Sequence, residues 1–184
     1  MIKAYKTIKA SGITVHCSHT EIVDIETLTP NPRNPNEHPD KQIVLLAKII
    51  REQGWRNPIV ISNRSGFIVK GHGRLEAAKL LNVATVPIDR QDYVSEASEW
   101  QDMIADNRIS EIAELNTAVL KDLLQELDDG GVDMDLTGFM EDELETLMTQ
   151  FHAEGEPIDL DPPPDGSVRP VKCPKCGFDF EVHT

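Results

Sequence analysis

Five consecutive residues, Lys70-Gly71-His72-Gly73-Arg74, bring two glycines, a histidine and two cations together. Glycine lets backbone N–H groups converge, and a helix N-terminus adds partial positive charge, so this string at a strand-to-helix corner has the make-up of an anion cradle. Arg74 in the first helical turn can offer a guanidinium fork to a phosphate. Lys70 and, from a Pro-rich loop, Arg33 can add charge. His72 reads as a phosphate donor or a general acid/base, because its ordinary pKa lies near neutrality. The competing readings are a turn that uses glycine for steric reasons alone and an exposed histidine.

A second group of chemistry-bearing residues is the run Cys173-Pro174-Lys175-Cys176-Gly177-Phe178. Two cysteines three apart with glycine behind them read as half of a zinc knuckle. Cys173, Cys176 and His183 are taken as the metal ligands; Cys17, His19 or a second knuckle from another subunit are candidates for the remainder. The alternative is an exposed tail with two free thiols.

The elements that position the corner follow from pattern. Glu21–Glu26 reads as a short strand, and Thr29-Pro30-Asn31-Pro32-Arg33-Asn34-Pro35-Asn36 as a turn-rich loop. Pro39 suits a first helical position; Ile43, Leu46, Ala47 and Ile50 keep helical spacing, and Gly54 sits where a C-cap belongs. Pro58–Ser62 and Phe67–Lys70 flank a four-residue loop, which predicts a hairpin. A short helix follows the corner and closes at Asn82; Thr85–Ile88 returns as a strand, with Pro87 marking an edge or an end. Residues 1–20 carry no clear period. Helices are expected over 95–114, from Asn116 or Thr117 through Leu127, and around Leu144–Phe151, with no helix-turn-helix evident. The expected fold class is α+β: residues 1–19 an extension, 20–92 a small mixed α/β domain, 93–151 an acidic helical segment, 152–171 a Pro/Asp-rich linker and 172–184 the cysteine tail.

The 184 residues carry a net charge of −14, unevenly spread. Residues 1–92 hold 13 Lys/Arg against 9 Asp/Glu (+4), and residues 93–170 hold 3 against 21 (−18). The first half suits phosphate and the second repels it, so tight nonspecific DNA binding by the whole chain is not expected. The acidic half reads mainly as a solvated helical surface. Aromatics are 5% of the chain, so the core is expected to be aliphatic. No apolar stretch approaches the ~20 residues of a membrane span, and no secretory signal is apparent, so the expected location is the cytoplasm, with reduced thiols.

Taken together, Thr29–Arg33, Ile49–Trp55, Asn57–Ile61, Gly71–Leu81 and Val86–Ile88 resemble the ParB N-terminal domain of the ParB/sulfiredoxin superfamily. The likeness covers roughly residues 20–92, and the helices to about 150 resemble ParB-like proteins of phages and mobile elements encoded near DNA-modification genes. The resemblance implies a nucleotide, CTP or ATP with Mg²⁺, held at the corner. By position it assigns Gly71 and Arg74 to the phosphate motif and Asn31 and Arg33 to a loop that closes on the nucleotide. It matches Asp106-Asn107-Arg108 to the Glu-Asn pair that helps hold phosphate and magnesium. Two departures bear on activity. ParB proteins carry Glu-Arg where this chain has His72-Gly73, which argues against CTP hydrolysis by the ParB scheme. Sulfiredoxins place their reactive cysteine where His72 stands, which argues against sulfinic-acid reduction.

The leading expectation is therefore a nucleotide-binding accessory protein in a DNA transaction such as DNA modification or mobile-element maintenance. It would act on DNA directly or through a DNA-modifying partner, with a homodimer among its states. An enzyme of the same fold (kinase, other phosphotransferase or nuclease) with His72 as its catalytic residue, and an adaptor with a vestigial pocket, are the alternatives.

Overall fold

The computed structural model describes residues 8–128, 131–149, 169–172 and 179–182. Cys173, Cys176 and His183, on which the zinc expectation rests, lie outside them. The chain forms two units, Met1–Leu144 and Glu145–Thr184, and the corner belongs to the first.

The first unit opens on a hairpin of β1 (Ile8–Ala10) and β2 (Ile13–Val15). Its two-residue turn places Ser11 and Gly12 at φ +47° and +87°, the left-handed pair that suits the twist of a tight hairpin. Ala10 and Val15 are buried in the same core as the sheet, so the segment read as an extension supplies part of that core.

A four-stranded sheet follows: β3 (Glu21–Asp24), β4 (Ile59–Ser62), β5 (Ile68–Lys70) and β6 (Thr85–Gln91), in the order β3-β6-β4-β5. β4 and β6 run parallel and the other neighbours antiparallel. β6 is thus interior, which corrects the expectation that Pro87 marks an edge or an end. The strand tolerates proline for a local reason. Ile25 N–H donates to Ala84 O at 2.9 Å, so hydrogen-bonded pairs recur at every second residue and Pro87, opposite Ile22, falls between them. On its other side the ladder with β4 begins one residue later, at Ile59 and Ile88. No N–H is missed on either side.

Helix α1 (Asp40–Gln53) and helix α2 (His72–Leu80) pack against each other. Ala47 and Ile50 of α1 and Leu75, Ala77 and Ala78 of α2 join Ile59, Ile61, Ile68, Val86 and Ile88 of the sheet, with Trp55 fully buried among them. Gly54 ends α1 at φ +77°, its N–H donating to Ile50 O at 2.9 Å. Any Cβ there would stand 2.5 Å from the Thr14 carbonyl oxygen of β2. Asn82 follows α2 at φ +53°, a left-handed position that asparagine tolerates.

Helix α3 (Glu96–Glu111) serves the hairpin of β4 and β5. It starts with a capping box: Ser95 accepts from Ser98 N–H at 3.1 Å, and Ser98 Oγ accepts from Ser95 N–H at 3.1 Å. Strand alternation sends Ile59 and Ile61 into the main core and Val60 and Ser62 to the opposite side, where Ser62 bonds Glu99 of α3. The register shifts between Val60 and Ile61, so Lys70 pairs with Val60 and takes its side, while Ile68 pairs with Ile61. That irregularity turns Lys70 towards α3.

Beyond α3 come α4 (Thr117–Asp128), a 3-10 turn at Met134–Thr137 and α5 (Glu141–Thr149). Leu124 of α4 is buried, and Lys48 of α1 bridges to Asp133 and Asp135 beside the 3-10 turn. In the second unit β7 (Arg169–Lys172) and β8 (Asp179–Val182) pair antiparallel. No helix among the described residues is long and apolar enough to cross a membrane.

Candidate functional site

β5 ends at Lys70 and α2 begins at His72, with Gly71 between them at φ +94°. A Cβ at Gly71 would lie 3.0 Å from the Arg74 guanidinium and 3.4 Å from Ile59 Cα, so both backbone conformation and space select glycine. The first helical hydrogen bond is donated by Leu75 N–H to Gly71 O (3.1 Å), which leaves the N–H groups of His72, Gly73 and Arg74 ahead of the ladder. These donors open on a cavity of about 180 Å³. Lys70, Gly71, His72, Gly73, Arg74, Asp106 and Asn107 line it, joined by Asn36 and His38 of the Pro-rich loop and Gln42 and Leu46 of α1.

The cations around this cavity differ in what holds them. Lys70 Nζ lies 2.9 Å from Asp102 and 3.4 Å from Asp106, both on α3. Tyr93 donates to the other oxygen of Asp102 at 2.7 Å. Burial works against charge on Lys70 and Asp102, but their mutual hydrogen bond and attraction prevail, leaving Lys70 above and Asp102 below its ordinary value. Arg74 is different. Its guanidinium donates to Pro58 O at 3.2 Å, and no carboxylate among the described residues reaches ion-pair distance of it. Desolvation pulls its pKa down, opposed by the more distant charge of Asp106 and by Cys17. A half-buried, unpaired guanidinium at a helix N-terminus is under-compensated unless an anion completes it.

His72 is half-buried. Its Nε2 accepts the backbone N–H of Asn31 at 3.2 Å, which joins the Pro-rich loop to the corner. Asn31 is buried, and its side-chain oxygen accepts from Arg33 N–H at 2.9 Å, closing a local turn. Burial, and secondarily the neighbouring His38, lower the His72 pKa; Glu76 acts in the opposite direction. The His38 ring sits 3.3 Å from where a Cβ at Gly73 would be, so glycine there admits the loop.

The structure thus brings Lys70, Gly71, His72, Gly73, Arg74, Asp106 and Asn107 to one cavity and ties Asn31 to it through His72. Arg33 and Arg108 are placed elsewhere. The Arg33 guanidinium stacks 4.4 Å from the Trp100 ring centre, a cation–π contact, and Arg108 pairs with Glu111 at 2.9 Å. Sequence reasoning passed over Asn36, His38, Gln42 and Leu46; the i, i+4 spacing of Gln42 and Leu46 on α1 was the available signal. It also passed over Glu99, a fully buried carboxylate that accepts from Ser62 (2.8 Å) and Ser65 (2.7 Å) and fixes α3 to the hairpin. Among the described residues no cluster of three or more His, Cys, Asp or Glu has metal-binding geometry.

Residues 9–107 match the model of the ParB N-terminal domain, and residues 118–174 match that of the ParB-methyltransferase HTH domain. The second match covers acidic helices in which no helix-turn-helix was evident from sequence. The ParB-like nuclease domain-containing protein YnaK of Escherichia coli (strain K12) is 36% identical over 64 residues, which are 35% of this chain and 72% of YnaK. The crystal structure of the C-terminally truncated chromosome-partitioning protein ParB from Caulobacter crescentus complexed with CTP-gamma-S superposes with a TM-score of 0.58 at 22% identity. It covers 71% of this chain and 77% of that one, a likeness of fold. The same ParB complexed to the centromeric parS site gives a TM-score of 0.41 at 19% identity, over 72% of each chain. With a domain model matched over more than half its length and a relative matched over most of that relative's own, this chain belongs to the ParB N-terminal domain family.

Proposed function

We propose that the cavity at the N-terminus of α2 binds the phosphates of a nucleoside triphosphate, CTP or ATP, and that the protein is a nucleotide-dependent accessory factor in a DNA transaction. The observation that carries this reading is Arg74: a half-buried guanidinium without a carboxylate partner, beside three N–H groups that precede the helical ladder. Polyphosphate supplies what this arrangement lacks, because it spreads negative charge over oxygens that guanidinium and amide donors can share.

The residues present also suit magnesium. Mg²⁺ is ordinarily held by one or two carboxylates together with substrate phosphates and water, and Asp106, with Asn107 beside it, lies on the same cavity as Arg74. Bound there, the ion would neutralise phosphate charge.

The family relative crystallised with CTP-gamma-S supports a nucleotide, and the match to a ParB-methyltransferase HTH domain supports a role beside DNA modification. The acidic character of residues 93–170 favours action through a DNA-modifying partner, or through the positive first half, over direct backbone contact by the helices. A homodimer and a cytoplasmic setting belong to the same reading. His72 does not have the free lone pair of a general base in this arrangement, since Nε2 is occupied by the Asn31 N–H. The reading is therefore of binding before catalysis.

The test is calorimetric titration of CTP, ATP, GTP and UTP with magnesium, with Arg74→Ala as control. Binding of one nucleotide that is lost in Arg74→Ala supports the proposal. The absence of binding by all four would refute it. Release of nucleoside diphosphate, abolished in His72→Ala, would replace binding with an enzymatic function.

A further inference from the structure

The cavity is small and open on one side. About 180 Å³ is under the roughly 300–1,000 Å³ that encloses a drug-sized molecule, so it takes phosphate groups within its walls and leaves a nucleoside at the rim. The Pro-rich loop is the rim element held by contacts that can be broken singly. Asn36 and His38 of that stretch line the cavity. Arg33 anchors it to Trp100 of α3, and Thr29 O accepts from Ile68 N–H at 3.0 Å. Its tie to the corner is the bond from Asn31 N–H to His72 Nε2.

That bond has an unambiguous chemical condition. A backbone amide only donates, so Nε2 must carry its lone pair and the imidazole must be neutral, with its proton on Nδ1. An imidazolium has two donors and no acceptor, and would face the Asn31 N–H with a proton of its own. We propose that His72 is a proton-operated latch of the nucleotide cleft: neutral, it holds the Asn31 loop closed over the corner; protonated, as a polyphosphate makes it, it lets the loop go and turns to the anion. This rests on the reading of the cavity as a phosphate site for its second half only.

The charges facing His72 set the direction. On the loop is His38, on the end of β5 Lys70, and on α2 itself Arg74 and Glu76; Asp106 faces across from α3. Lys70 is balanced by Asp102 and Asp106; while no ligand is bound, burial of the ring and, secondarily, the neighbouring His38 favour neutral imidazole against the opposing charge of Glu76. A triphosphate at the helix N-terminus reverses the local potential and favours imidazolium. Proton uptake by His72 and release of Asn31 are then one event, and the ligand itself frees the rim beside which its nucleoside would lie.

The experiment follows the Asn31 amide and the His72 ring by NMR in the full chain, first without ligand. In wild-type protein the Asn31 amide resonance should step to a solvent-exposed position as pH falls, with the midpoint of the His72 titration, below 6.5. His72→Gln, whose side-chain carbonyl accepts at any pH, should hold the bonded position with no step between pH 8 and 5. His72→Phe should show the exposed position throughout. A wild-type amide that does not move while His72 titrates, or a bonded position in His72→Phe, overturns the latch. Inorganic tripolyphosphate is then added, with binding read by ³¹P line width. The His72 midpoint should rise by about one pH unit or more, and Asn31 should be in its exposed position at pH values between the ligand-free and the ligand-bound midpoints. Binding with an unmoved midpoint overturns the coupling. A failure of tripolyphosphate to bind overturns the phosphate reading and the coupling together, and the ligand-free arm still decides the latch.

Discussion

Replacing Arg74 with methionine should separate binding from stability. The side chain is half-buried, its hydrogen bond runs to Pro58 O at 3.2 Å, and no carboxylate among the described residues pairs with it. Desolvation already pulls its pKa below the ordinary arginine value, so the ligand-free fold holds this charge at a cost. Methionine keeps the apolar stem and removes the charge. Loss of the bond to Pro58 O costs about 1 kcal/mol, and relief of desolvation offsets an amount of similar order, so the unfolding free energy should change by under about 1 kcal/mol. Binding should respond very differently. A charge-assisted hydrogen bond to phosphate contributes about 1.5–3 kcal/mol, which at 1.4 kcal/mol per decade is roughly a 10–150-fold rise in Kd for the triphosphate. Urea denaturation monitored by Trp55 and Trp100 fluorescence gives the first quantity and calorimetry with magnesium nucleotide the second. A destabilisation above about 3 kcal/mol with unchanged affinity would refute the reasoning and make Arg74 a structural strut.

Other perturbations test the scaffold. Gly54 and Gly66 both have positive φ, +77° and +76°, but Gly54, at ψ −178°, lies outside the left-handed helical region and a Cβ there meets Thr14 O at 2.5 Å, whereas a Cβ at 66 meets open space. Alanine at 66 should cost about 1–2 kcal/mol from backbone strain alone, and alanine at 54 clearly more; equal losses by urea denaturation would show that neither that backbone conformation nor the contact with β2 is what selects glycine. Glu99→Ala removes the acceptor of two serine hydroxyls and should destabilise by about 2–4 kcal/mol, whereas Glu99→Gln, which retains an acceptor, should lose less. Because Asp102 is held below its ordinary 3.8, its contribution is full above that pH and is lost as pH falls through the lower folded value. A pH series of urea midpoints should therefore fall more steeply below pH 3.8 in wild type than in Asp102→Asn.

How far the sequence reveals such a site depends on whether the forces are local. Gly71, Gly54 and Asn82 are legible because a left-handed backbone asks for particular residues in place, and α1, α2 and the β4–β5 hairpin follow from periodicity bounded by those same residues. The β1–β2 hairpin went unread although its signal is present: Ile13 and Val15 alternate behind Ser11-Gly12, but three-residue strands offer too few repeats to stand out. Pro87 misled because the edge-strand rule concerns a missing N–H, and here the register places that nitrogen where neither neighbouring strand requires it. The charges are the larger lesson. Read along the chain, Lys70, Arg33, Arg74 and Arg108 all look available to an anion. Folding assigns Lys70 to Asp102 and Asp106, Arg33 to Trp100 and Arg108 to Glu111, and all four of these partners lie on α3. Arg108 and Glu111 are an i, i+3 pair within the helix, but for Lys70 and Arg33 no local string contains the assignment, because it depends on which side of the sheet α3 covers and on the irregularity that turns Lys70 towards it. What is left for a ligand is one guanidinium and the backbone of a helix terminus. Such a site has a weak net field and a strong directional one, so it should distinguish phosphate chains by the placement of their oxygens more than by their total charge.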